Sequence, residues 1–193
     1  IEGLGGAIAA FYTDKTRIPP PLEMGTMHEG EKVQATWLYQ FLGRPTPLRP
    51  WLDVRMPAFG LSIDEATTLT DYFAALGKQR FPYEYVLLDE PAPELIRAGR
   101  LLMSKDYFDC FSCHQQGDKK PEGPPDSWAP DLSLAKRRLR PIWIAKWLKD
   151  PQKIQPGTKM PSYYPGGPED ILGGKEDRQI QAITEYLMRL GGG

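Results

Sequence analysis

The sequence predicts an all-α protein built as two small helical units. Alternating runs of β-branched residues, the pattern of a sheet, are scarce. The 20 prolines and 19 glycines fall mostly between apolar stretches of helical period, where they mark loops. Three segments of the first half recur, in the same order, in the second half. At 193 residues the chain has room for two units of roughly 80 to 105 residues. Units of that size bury only limited cores, so a large apolar cofactor would add much of the packing.

The repeat is read residue by residue. Trp37–Pro45 matches Trp143–Pro151, Arg55–Phe59 matches Lys159–Tyr163, and Leu69–Gly77 matches Ile183–Gly191. The second copy carries extra residues after its Met-Pro, in the Pro/Gly-rich segment Tyr164–Gly174. The helices have their own boundary signals. Ser62 and Glu65 form a capping-box pattern ahead of Ala66, Leu69, Phe73 and Leu76 at helical spacing. Gly77 and Gly191 stand where a helix end favours glycine. Residues 81–91, holding Pro82 and Pro91, read as a linker between a first domain at 1–80 and a second at 92–193.

Cys110-Phe111-Ser112-Cys113-His114 holds both cysteines and one of the two histidines. The order C-x-x-C-H is the attachment pattern of c-type haem. Each thiol adds across one vinyl group, and two intervening residues let one helical turn reach both. The next residue then offers its imidazole to the iron from the same side, which makes His114 the proximal ligand. Other readings have less to stand on. A thiol redox pair belongs near a βαβ pattern, and the flanks here read as helical. A structural zinc site needs four ligands, and beyond these residues only His28 remains before carboxylates are required. A disulfide across two residues would staple almost nothing.

A sixth ligand is offered by Met160 in Gly157-Thr158-Lys159-Met160-Pro161. A lone methionine is ordinarily core filler. Glycine, proline and polar neighbours make this a poor core position, and a stiff irregular loop suits a sulfur turned toward iron. Ligation by histidine and methionine raises the potential and closes both axial faces, which suits electron transfer better than oxygen chemistry.

With these residues in place, the stretch from about Asp89 to Gly193 resembles a class I type cytochrome c domain. Ala92–Met103 resembles the family's first helix, with Gly99 where that helix crosses the last one. Ala129-Pro130-Asp131-Leu132 resembles the loop whose proline carbonyl holds the proximal histidine, which implies that role for Pro130. Gln179–Leu190 resembles the closing helix, with Tyr186 at the crossing. The repeat then makes residues 20–80 similar to the carboxy-terminal part of another such domain. The expected fold is thus two tandem cytochrome c-like domains with Pro/Gly-rich loops, the first incomplete.

The first copy has no C-x-x-C-H. Counting back from Pro20-Pro21-Leu22, its haem histidine falls near or before residue 4, and Ile1–Gly6 resembles the segment directly after such a histidine. The start at Ile1 reads as processed, trimmed or incomplete. Either the haem-binding turn lies upstream and Met56 is the distal ligand of a first haem, or the copy has lost its haem and serves as a scaffold. The first account is favoured, because Arg55-Met56-Pro57 keeps the ligand pattern. Met56 as plain packing and His28 as a substitute ligand stay open, although Met27–Gly30 reads as a solvated turn.

A net charge of −1 gives no steering toward nucleic acid, and no apolar run reaches the length of a membrane span. The basic run Lys136-Arg137-Arg138-Leu139-Arg140 reads first as a solvated helix face. Its alternatives are docking to an acidic redox partner or pairing with haem propionates. Trp37, Trp143 and Trp147 read as packing beside haem or core, with indole N–H groups in reach of a propionate. The function expected is one-electron transfer by haem c, with no catalytic residues. By analogy it is a diheme carrier or a subunit of a respiratory or photosynthetic membrane complex. The resemblance implies a periplasmic or otherwise extracytoplasmic site. A haem enzyme or ligand-binding protein with an open sixth position is an alternative. So is a structural adaptor, with Phe11, Tyr12, Tyr83 and Tyr85 as candidate contact residues.

Overall fold

The computed structural model describes residues 29–53, 55–79 and 90–191. His28, Met27, the Ile1–Gly6 stretch, Phe11, Tyr12, Pro20, Pro21, Tyr83, Tyr85 and nearly all of the expected linker lie outside them. The described residues are mostly helical and form no strand. Two isolated bridges occur, His114 with Ala129 and Gln116 with Lys119. They divide into two compact units, one of residues 29–47 and 55–79, the other of 48–53 and 90–191. No described helix is long and apolar enough to cross a membrane.

In the first unit, α1 (Glu29–Lys32) leads into α2 (Ala35–Gly43), and α3 (Ile63–Leu76) packs on both. Ala35, Leu38 and Leu42 share one helical stripe of α2 and are buried with Trp37. Helix α3, which pairs with α2, buries Ala66, Tyr72 and Ala74. The expected capping box starts α3. Glu65 N–H donates to Ser62 Oγ at 3.3 Å, and Ser62 N–H donates to the Glu65 carboxylate at 2.8 Å.

In the second unit, α4 (Pro93–Leu102) opens with proline at its first position, where the missing N–H costs nothing. The unit continues through α5 (Ala135–Arg138), α6 (Pro141–Lys149), α7 (Pro151–Ile154) and α8 (Glu176–Leu187). Leu102, Met103, Ile144, Ile183 and Leu187 lie in its buried core. The helices α4 and α8 make the most extensive pairing. Gly99 is at that crossing: a Cβ there would meet Ala182 O at 2.1 Å and Tyr186 Cβ at 2.9 Å.

Local geometry recurs between the units. Val33 N–H donates to Glu29 O at 2.9 Å, and Leu139 N–H donates to Ala135 O at 2.8 Å. The residue ending α2, Arg44, has φ −144° and ψ 86°, and the one ending α6, Asp150, has φ −156° and ψ 84°. Trp37 stacks on Phe41 at 4.7 Å and 17°, and Trp143 stacks on Trp147 at 5.1 Å and 16°.

Several boundaries differ from expectation. The closing helix runs Glu176–Leu187, three residues earlier at each end than 179–190. Glu176 and Asp177 in its first turn complement the helix dipole, which draws the start forward. Gly191 therefore stands beyond the helix, and its glycine requirement is steric, since a Cβ would meet Ser133 O at 2.1 Å. Gly77 does cap α3, but with φ −76°, not the left-handed cap. There too a Cβ would strike backbone, Glu31 N at 2.7 Å. The basic run is not a uniform solvated face. Lys136 and Arg137 are exposed, but Arg140, which precedes α6, is only 9% exposed.

Candidate haem site

The flank before the C-x-x-C-H motif is not helical. Helix α4 stops at Leu102, and the chain turns back on its end through residues 103–109. Phe108 N–H donates to Leu102 O at 3.0 Å and Cys110 N–H to Met103 O at 3.2 Å, so helix-end carbonyls are satisfied by the reversal. Asp109 completes it in the left-handed region (φ 47°, ψ 47°), which Asp tolerates better than most residues. Cys110–Ser112 then forms a single 3₁₀ turn, and His114 N–H donates to Cys110 O at 3.0 Å. Cys110 opens that turn and Cys113 caps it, the two unbridged, with the histidine directly after. Burial pushes the Cys110 thiol up to about 12, which argues against a reactive thiolate there.

The loop carrying Pro130 runs alongside. Ala129 N–H donates to Cys113 O at 2.7 Å, and Leu132 N–H donates to Gln115 O at 2.9 Å. This clamp brings Pro130 O to 2.7 Å from His114 Nδ1. A carbonyl only accepts, so Nδ1 carries the proton and Nε2 keeps its lone pair. Burial, more than any other influence, lowers the His114 pKa and favours the neutral ring that ligation requires. Asp131 locks the loop, accepting from Gly117 N–H at 3.0 Å and Ser133 N–H at 2.8 Å. Sequence reasoning passed over Asp131. Its signal was there, since an aspartate directly after proline often bonds the backbone two residues on.

Met160 packs, partly buried, against the same core as Cys110. Its loop is held by Gln152, whose Nε2 donates to Thr158 O at 2.7 Å and Met160 O at 3.2 Å. Gln152 Oε1 accepts from Gly157 N–H at 3.3 Å. Gly157 has φ 79°, a left-handed turn that favours glycine. Trp147 Nε1–H donates to Met160 Sδ at 2.8 Å. Tyr163 lies over the motif's approach, its hydroxyl donating to Phe108 O at 2.8 Å, and burial pushes its pKa up to about 12. Neither Gln152 nor Tyr163 carried a local signal, because their partners depend on the path of the loops. Met56 is placed differently. It lies in the non-helical stretch before α3, in the first unit, and is 39% exposed.

Two neighbouring thiols, an imidazole fixed in one tautomer and a thioether suit a covalently attached haem. Histidine and methionine would suit its iron, and the cysteines its vinyl groups. Among the described residues no cluster of three or more His, Cys, Asp or Glu could hold a metal ion by itself. No curated protein and no solved structure matches the chain. Residues 96–191 match the family model described as cytochrome c, a match that supports a haem c module for electron transfer in this part of the chain.

Proposed function

We propose that the second unit carries one haem c, linked by thioethers at Cys110 and Cys113 and ligated axially by His114 and Met160, and that it works as a one-electron carrier. The haem supplies a ferrous/ferric couple. The chain's part is to hold it and set its environment. The single observation that carries this reading is the 2.7 Å approach of Pro130 O to His114 Nδ1. It orients the ring directly after the two cysteines and leaves the other nitrogen for the iron. The methionine loop, fastened by Gln152, supports a closed sixth position and argues against an open one.

For the first unit we propose a second copy of the same helical frame, with Met56 in the register of Met160. The collinear repeat supports it, together with the paired aromatic stacks and the matching ends of α2 and α6. A diheme carrier serving a respiratory or photosynthetic complex outside the cytoplasm is the full form of this reading. Its partners are redox proteins. The intact mass of the natively purified protein, taken under denaturing conditions, tests the number of covalent haems. Two covalent haems support the diheme form and Met56 as a ligand. One haem makes the first unit a scaffold. None would sink the central assignment.

A further inference from the structure

In sequence, residues 48–53 fall between two stretches of the repeat, Trp37–Pro45 and Arg55–Phe59. In the structure they belong to the second unit, together with residues 90–191. The corresponding stretch of the second copy stays with its own methionine, since Gln152 Nε2 donates to Thr158 O and Met160 O. The first copy has Thr46 in the place of Gln152, and its stretch is longer, nine residues (46–54) against seven (152–158).

A tight turn shapes the segment. Leu52 N–H donates to Arg49 O at 3.0 Å, with Pro50 at the second position, where its fixed φ suits a β-turn. Trp51 stands edge-on to Trp128, ring centres 5.4 Å apart and planes at 67°, a favoured aromatic geometry. Trp128 is itself fixed, its Nε1–H donating to Gly123 O at 3.2 Å and its backbone N–H to Pro125 O at 3.1 Å. It directly precedes Ala129 and Pro130, which are clamped to Cys113 and His114. Burial does most to lower the His114 pKa, and the charge of Arg49 adds to it, while the Pro130 carbonyl and Asp131 act in the opposite sense. The field of the Arg49 guanidinium thus reaches the imidazole. A fixed cation beside an iron ligand disfavours the more positive ferric state, so it raises the reduction potential. Arg49 is exposed, so salt weakens that field.

We propose that residues 48–53 are part of the haem site of the second unit, with Trp51 as the anchor on Trp128 and Arg49 as a positive charge that raises the potential of the iron ligated by His114. The proposal rests on the reading of this unit as a haem c carrier. The test is redox titration of the holoprotein and its variants Arg49→Gln, Arg49→Lys and Trp51→Ala. Should wild type show two redox waves, the one that Met160→Leu displaces belongs to the second unit. At the wild-type midpoint of that wave, the ferric-to-ferrous ratio should rise about threefold in Arg49→Gln, which is about 28 mV at about 59 mV per tenfold. The rise should shrink as salt is added, and Arg49→Lys should abolish most of it. Trp51→Ala should give a similar rise with the arginine still present, because the turn has lost its anchor. An unchanged midpoint in Arg49→Gln, or a shift of the other wave alone, overturns the proposal. An unchanged midpoint in Trp51→Ala overturns the anchor. Should Trp51→Ala fail to fold, the salt dependence of Arg49→Gln decides, and a shift that salt leaves intact overturns the role of charge. A wild-type protein without covalent haem fails the underlying reading instead, and its mass shows this before any titration.

Discussion

The two units place a long helix against glycine by different means. In the second, α8 is crossed by the ten-residue α4 at Gly99, where a Cβ would meet Ala182 O at 2.1 Å. In the first, α3 is approached by the four-residue α1 at Gly30, where a Cβ would meet Phe73 O at 1.7 Å. Both obstacles are backbone carbonyls, which cannot swing aside as a side chain would. Close approach of a helix is thus a shared requirement. Yet Gly30 does not sit at the repeat position of Gly99. It lies in register with Lys136 of α5.

The comparison breaks most sharply at these glycines. Gly99→Ala and Gly30→Ala should each cost about 3 kcal/mol, because overpacking against fixed backbone forces the helices apart. Denaturant unfolding monitored by haem absorbance and by helical signal separates them. Gly99→Ala should lower the haem-reported midpoint, and Gly30→Ala should lower only the helical signal of the first unit. Equal shifts of the haem signal would show that the two units unfold as one.

The second contrast is one register position used in two ways. Glu65 stands four residues before Leu69, and Gln179 stands four before Ile183. Glu65 closes the capping box of α3. Gln179 is fully buried, and its Nε2 donates to Pro168 O at 2.7 Å and Ile171 O at 2.8 Å. It therefore ties down the extra loop that only the second copy has. Gln179→Leu strips both carbonyls of their partner and should cost about 2 kcal/mol. The midpoint of chemical unfolding reads this directly, and a neutral substitution would mean that the loop is held by packing alone.

Distance along the chain decides which features are legible in the sequence. The C-x-x-C-H turn spans five consecutive residues and the capping box four, so neighbours alone specify them. The Gly99 crossing and the Pro130 carbonyl were legible only through the resemblance, since each joins residues far apart. The bonds from Tyr163 to Phe108 and from Gln179 to Pro168 and Ile171 depend on where loops travel, which no periodicity encodes. The ends of α8 shifted for a local reason, the acidic pair Glu176 and Asp177, which the family resemblance leaves outside the helix.

A smaller contrast lies in how the long helices begin. Ser62 caps α3, whereas Lys175 at the start of α8 makes no side-chain cap. Ser62→Ala should cost about 1 kcal/mol. Lys175→Ser should add about 0.5 kcal/mol if the backbone there accepts a cap. Thermal unfolding of the two variants tests whether both helix starts draw on the same interaction. A cost at Ser62 with no gain at Lys175 would show that the extra loop already fixes the start of α8.

The smallest expected effect separates charge from geometry within that cap. The Ser62 backbone N–H, and then its hydroxyl, hold the Glu65 carboxyl below its ordinary value of 4.5. A carboxylate depressed in the folded state contributes stability above the ordinary value and loses it as pH falls through the folded one. Glu65→Gln keeps an oxygen able to reach back to Ser62 N–H but removes the charge. Wild type should therefore be slightly more stable than Glu65→Gln at neutral pH, by a margin that ionic strength reduces. The margin should stay constant down to the ordinary value and then close in more acid solution, once the carboxyl is protonated in both states. Paired denaturant titrations across that acid range read the difference. A margin that persists after protonation would assign the effect to the shape of the glutamate side chain, and the helix start of the first unit would then owe nothing to charge.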